Sequence, residues 1–220
     1  MKPNATVSAG FADPVHDAQR AFRSVLEALS RPGQRQGIGA MVKGMALGGA
    51  MAHLLLALTD DDTAVWWQQG DQVAADWLRF HTGATCAALP ARAAFAVLDT
   101  RHTLPTLASF AAGSAQAPEG STTLLVEVPS LDTGPALEWR GPGIRDARTV
   151  CIAGLPDDFW AQWQANHATF PQGVDIVFTC ANAAVGLPRT TRARKLEASE
   201  HVRCCQGWRS RHRKLVASAG

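Results

Sequence analysis

Val174-Asp-Ile-Val-Phe-Thr-Cys180 is an apolar, β-branched run that turns at Ala181-Asn182 into a second short run, Ala184–Leu187. Such a run reads as a buried strand. A matching stretch, Thr122–Val128, follows the turn Pro118-Glu119-Gly120. Working outward, Ala94–Leu98 and Ala64–Trp67 read as further strands, and Arg148–Ile152 as another apolar run. Ala136–Arg140 is expected to pair with Thr122–Val128 across Asp132-Thr133-Gly134-Pro135. Helical patterns lie between the strands. The alternation predicts an α/β fold with a central mixed sheet.

The first helix is signalled by Asp13 as N-cap, Pro14 at the first helical position and Asp17 in the first turn. Phe22, Val25, Leu26 and Leu29 mark its expected buried stripe, and Ser30-Arg31-Pro32-Gly33 ends it. A second helix is expected over Ala46–Leu58, apolar nearly all round, and a third from Asp71 to Leu78. Leu104–Ala112 reads as a short helix. Pro156–His167 reads as another, with Phe159, Trp160 and Trp163 on one side.

Composition narrows the function classes. The chain has 220 residues, 46% of them hydrophobic and 18% charged, which suits one large globular domain. No apolar run approaches the ~20 residues of a spanning helix, and the N-terminus lacks a signal-peptide pattern. A cytoplasmic location with no membrane partner is expected. Five cysteines without C-x-x-C spacing argue against a disulfide framework or a zinc site. The net charge of +2 conceals a split, because nine of the 21 cationic side chains fall in residues 189–220 with only two acids. The preceding body is acidic, so the basic balance does not make the domain a nucleic-acid binder.

No nucleotide-loop, dinucleotide, nucleophile-elbow or H-E-x-x-H motif is present. A pyridoxal enzyme needs a Schiff-base lysine, and the body offers only Lys43 beside Lys2 at the terminus and Lys195 and Lys214 in the tail. No pyridoxal phosphate and no metal are expected. Asp60-Asp61-Asp62 reads as a solvated turn, and His16 and His53 as hydrogen-bonded structural histidines. Three segments stand out as anion-binding or interface candidates. They are Arg79, His81 and Thr82 before Gly83; Arg140 before Gly141-Pro142-Gly143; and Arg189 with Thr190 after Pro188. Each offers a cation at an element end, suited to a phosphate, a carboxylate or a partner. None brings a nucleophile with a base, so no catalytic residue is assigned.

The same segments carry a family resemblance. Phe11-Ala-Asp-Pro-Val-His-Asp-Ala-Gln-Arg-Ala-Phe-Arg23, Leu29-Ser-Arg-Pro-Gly33 and Leu54–Trp66 resemble the opening of the H subunit of the carbon–phosphorus lyase system, the PhnH family. Leu78–Gly83, Trp139–Ile144, Phe170–Cys180 and Leu187–Thr191 continue it, in order, over residues 11–191. The resemblance implies a three-layer α/β/α sandwich like the large domain of pyridoxal-dependent transferases, without the cofactor site. It implies a homodimer that works with the G, I and J subunits. Their joint task is to form α-D-ribose 1-methylphosphonate 5-triphosphate from ATP and methylphosphonate, with release of adenine. The alternative is a stand-alone enzyme or binding protein for a phosphorylated small molecule. Residues 1–191 are expected to form the domain. Residues 192–220, rich in arginine and without apolar periodicity, are expected to be a dispensable basic tail.

Overall fold

Strands β5 (Thr123–Glu127) and β8 (Asp175–Cys180) run parallel and side by side, with Leu124 opposite Ile176 and Val126 opposite Phe178. Successive strand residues point to opposite faces. Leu124, Val126, Ile176 and Phe178 therefore enter one core, while Leu125 and Val177 enter the other. All six are fully buried, as the apolar run requires.

In the computed structural model, residues 8–40, 42 and 46–196 are described. Around the central pair, β1 (Gln36–Gly37), β2 (Ala64–Trp67), β3 (Thr85–Cys86), β4 (Phe95–Asp99) and β9 (Ala183–Leu187) complete a seven-stranded sheet in the order β1-β9-β8-β5-β4-β2-β3. Strands β8, β5, β4, β2 and β3 are parallel; at the other edge β9 runs antiparallel to β8, and β1 antiparallel to β9. The large mixed sheet expected from the alternating pattern is thus present.

One face is covered by α1 (Pro14–Ser30), α2 (Gly49–Leu58) and α3 (Gln72–Thr82). Asp13 caps α1 through the His16 N–H, and Asp71 caps α3 through the Val73 and Ala74 N–H groups. The buried line of α1 is Ala21, Val25 and Ala28, whereas Phe22 and Leu26 are 48% and 50% exposed. The expected stripe is corrected by about one residue of rotation. The cause is close packing: a Cβ at Gly186 of β9 would lie 2.4 Å from the Ala28 carbonyl oxygen. Small residues must therefore face the sheet there.

The opposite face is covered by α4 (Phe159–Ala168) together with a second, antiparallel sheet of β6 (Ala136–Arg140), β7 (Arg148–Cys151) and β10 (Arg192–Lys195), in the order β10-β6-β7. This layer is part helix and part sheet. The expected pairing of Ala136–Arg140 with Thr122–Val128 does not occur. Both edges of β5 are already taken by β4 and β8, so β6 turns away and buries Leu137 and Trp139 in the core that holds Trp160 and Trp163. The helix expected over Leu104–Ala112 is only the 3-10 turn Leu107–Ser109. Ala111 instead donates its N–H to the Thr122 hydroxyl at 3.2 Å and accepts the Thr122 N–H at 2.9 Å, and Ala112 bridges antiparallel to Ser121.

Strand β10 corrects the domain boundary as well. Arg192–Lys195 pairs with Arg140–Leu137 in register, and Ala193 is buried. A boundary at 191/192 would cut this strand from its sheet. The rest of the proposed tail, 197–220, lies outside the described residues, as does Lys43.

Candidate functional site

At β2 and β4 the chain leaves the sheet in opposite directions. The segment after β2 forms α3 on one face, and the segment after β4 packs Leu107 and Phe110 into the core of the other. Where adjacent parallel strands send their connections to opposite faces, a crevice opens at their carboxyl ends, the usual ligand position in open α/β sheets. A cavity of about 150 Å³ lies there. Trp67 and Gln68 line it from the end of β2, Asp99, Arg101 and His102 from β4, and Glu127 from β5. Leu47, Gly48 and Met51 close it from the start of α2.

Hydrogen bonds hold these groups in place. Gln68 Nε2 donates to the Thr103 carbonyl at 2.7 Å, and Gln68 Oε1 accepts from the Asp99 N–H at 2.7 Å. Asp99 accepts from the Arg101 N–H at 2.8 Å and from Arg101 Nε and Nη2 at 2.8 and 2.5 Å. Burial alone would raise the Asp99 carboxyl, but these bonds and the guanidinium charge outweigh it and hold it below the usual range.

Glu127 behaves oppositely. Burial pushes its carboxyl above the ordinary range, and the neighbouring Asp99 charge adds to that, against the pull of the Thr179 hydroxyl and the Ala181 N–H. The Thr179 hydroxyl donates to Glu127 Oε2 at 2.5 Å. A Cβ at Gly48 would lie 2.6 Å from Glu127 Oε1, so any larger residue there would push the carboxyl aside. Ala181 has φ 52° in the left-handed region, and its carbonyl accepts the Ala50 N–H of α2 at 2.8 Å. Strand end, hairpin and helix start thus converge on one part-buried acid.

The candidates chosen from sequence lie elsewhere. Arg79 is exposed and paired with Asp76 at 2.8 Å. His81 Nε2 donates to the Ser8 carbonyl at 3.0 Å, and its ring meets Trp77 edge-on. Thr82 donates to the Leu78 carbonyl and accepts from Thr59 and the Ala84 N–H, closing α3 before left-handed Gly83. Arg140 is exposed and forks onto Glu138 at 2.9 and 3.3 Å. Arg189 is 12% exposed and fully engaged with Asp175, Ser121 and the Pro118 and Pro171 carbonyls. Thr190 is half-buried, and its backbone lies against the Gly141 turn. The Arg140 and Arg189 segments are therefore neighbours, whereas the Arg79 segment belongs to the opposite layer.

Sequence reasoning passed over Gln68, Asp99, Arg101, His102 and Glu127. The available signal was an acid closing an apolar strand: Asp99 after Phe95–Leu98, and Glu127 after Leu124-Leu125-Val126. Among the described residues, no group of three or more His, Cys, Asp or Glu is disposed to hold a metal ion, and no helix is long and apolar enough to cross a membrane.

Fold and crevice together define an α/β domain with an open crevice at the carboxyl edge of a mostly parallel sheet. Residues 9–194 match the family model described as bacterial phosphonate metabolism protein (PhnH), and the chain belongs to that family. It is 40% identical over 191 residues to the alpha-D-ribose 1-methylphosphonate 5-triphosphate synthase subunit PhnH of Rhizobium meliloti (strain 1021), covering 84% of this chain and 94% of that protein. It is 32% identical over 175 residues to the putative C-P lyase subunit protein HtxG of Stutzerimonas stutzeri, covering 79% of this chain and 84% of that one.

Proposed function

We propose that this chain is an accessory subunit of the carbon–phosphorus lyase core complex in phosphonate catabolism. In that role it supports formation of α-D-ribose 1-methylphosphonate 5-triphosphate from ATP and methylphosphonate, with release of adenine. The observation that carries this is the match over residues 9–194, with a relative named as a subunit of that synthase. The exposed apolar residues Val15, Phe22 and Leu26, aligned along α1, suit a protein that works within an assembly. The partners would be the G, I and J subunits, in the cytoplasm, with the free chain a homodimer. No pyridoxal phosphate would be needed, although a mostly parallel sheet covered on both faces is what likeness to the large domain of pyridoxal-dependent transferases requires.

The test is co-expression with the three partner subunits, purification through one tag, and assay of the ribose-phosphonate product. Co-purification, with product lost when this chain is omitted, is expected. Turnover by the isolated chain, or a complex that is fully active without it, would overturn the reading.

A further inference from the structure

The carboxyl-edge crevice has a layered chemistry. Its walls are apolar, from Leu47, Met51, Trp67 and Val97. Its inner end holds Glu127, and among the described residues no Lys, Arg or His forms an ion pair with that carboxylate. Asp99 stands beside it and disfavours its charge, by more than the nearby Arg101 favours it. A part-buried carboxyl so placed is relieved by a compact cation. The mouth carries hydrogen-bond donors. Arg101 and His102 are exposed there. Arg101 uses Nε and Nη2 on Asp99, which leaves Nη1 open, and the His102 ring has no hydrogen-bond partner among the described residues. A cavity of about 150 Å³ admits a short chain or a single ring, not a nucleotide.

We propose that this crevice binds a small ω-amino zwitterion, with its ammonium group against Glu127 and its oxyanion at the mouth against Arg101 and His102. An ammonium group supplies three donors and a point charge to the inner carboxyl. The guanidinium and imidazole at the mouth are suited to a tetrahedral or planar oxyanion. The methylenes between the two lie along the apolar walls. The identification of the oxyanion as a phosphonate rests on the proposed function; the inward ammonium does not. An aminoalkylphosphonate and an amino acid of the same length share this chemistry, and the test separates them.

The experiment is isothermal titration of the full chain with 2-aminoethylphosphonate, ethylphosphonate, ethylamine and β-alanine. The expected result is that 2-aminoethylphosphonate binds, with ethylphosphonate weaker by about tenfold or more. Glu127→Gln should weaken 2-aminoethylphosphonate by about tenfold and leave ethylphosphonate unchanged. Arg101→Ala, an exposed change that cannot disturb the core, should weaken 2-aminoethylphosphonate without weakening ethylamine; it keeps the test decisive if Glu127→Gln fails to fold. β-Alanine binding as tightly as the phosphonate would support the zwitterion site while removing its link to phosphonate chemistry. Ethylphosphonate binding as tightly as 2-aminoethylphosphonate, no effect of either variant, or no heat with any probe up to about 10 mM would overturn the site. Loss of complex assembly with binding intact would count against the proposed function alone.

Discussion

Two acidic centres lie at opposite ends of the parallel strands, and they are built on different rules. At the amino end of β8, Asp175 takes the Arg189 guanidinium fork at 3.1 and 2.5 Å and the Arg189 N–H at 2.7 Å. The remaining guanidinium donors reach Ser121 and the Pro118 and Pro171 carbonyls. Every strong group there has a partner within the protein. At the carboxyl end of β5, Glu127 is part-buried beside another acid; a hydroxyl and one peptide N–H bond it, and the Arg101 charge favours it less than Asp99 opposes it. The saturated centre locks loops, and the under-compensated one keeps capacity for a ligand. Stability and binding are thus assigned to different ends of the same sheet.

The largest expected effect tests the locked end. Arg189→Ala leaves Asp175 part-buried without its cation and releases two loop carbonyls, which typically costs ~3–5 kcal/mol. A fall in melting temperature of several degrees should follow; an unchanged melting temperature would remove the distinction between the two ends.

Truncation comes next. A stop after Arg192 removes most of β10 and the buried Ala193, so it should lower the melting temperature by roughly 4 °C or more, a shift that about 1 kcal/mol produces in a small domain. A stop after Leu196 spares the strand and serves as its control. Equal melting curves for the two truncations would show that β10 adds nothing to the small sheet.

Glu127→Gln should have the opposite sign. The folded state raises the carboxyl above its unfolded value, so between those two values the native protein holds the proton more tightly. Stability contributed by this group therefore falls as pH rises through that window. The glutamine variant lacks that fall and should match or exceed the parent chain at neutral pH in thermal melts. Asp17 and Asp99 are lowered and act in the reverse direction, and both remain in the variant. A neutral-pH loss of several degrees would make Glu127 a structural acid and erase the contrast. The smallest effect belongs to Arg101→Ala, because the Arg101 side chain is 73% exposed and a solvent-screened pair of this kind is worth ~0–1 kcal/mol. Its melting curve should overlay the parent's.

How far each region was legible follows from how local its causes are. The strands Thr122–Val128 and Val174–Cys180 were readable because apolar β-branched runs report burial directly. The caps Asp13 and Asp71 were readable because a cap is decided within three residues. The partner of Ala136–Arg140 was not, because an alternating pattern reports which face is buried but not which neighbouring edge is free. Phe22 and Leu26 misled because helical spacing marks an apolar stripe without saying whether Gly186 leaves room for it. Arg189 was visible as a cation, while its carboxylate partner lies 14 residues upstream. The crevice was least legible of all. Its groups come from Leu47 to Glu127, and none of those short segments carries a motif.

The hairpin between β8 and β9 puts a non-glycine residue, Ala181, at φ 52°. Left-handed backbone costs an L-residue roughly 1–2 kcal/mol, so an engineer seeking thermostability would place glycine there first. That residue's N–H steadies the Glu127 carboxyl and its carbonyl holds the first turn of α2. Glycine would relieve the strain and also widen the range of torsion angles open to that peptide. Ala181→Gly should then harden the protein against heat while blurring the alignment of helix, strand and acid. Directed evolution for stability and selection for ligand affinity would pull this single codon in opposite directions.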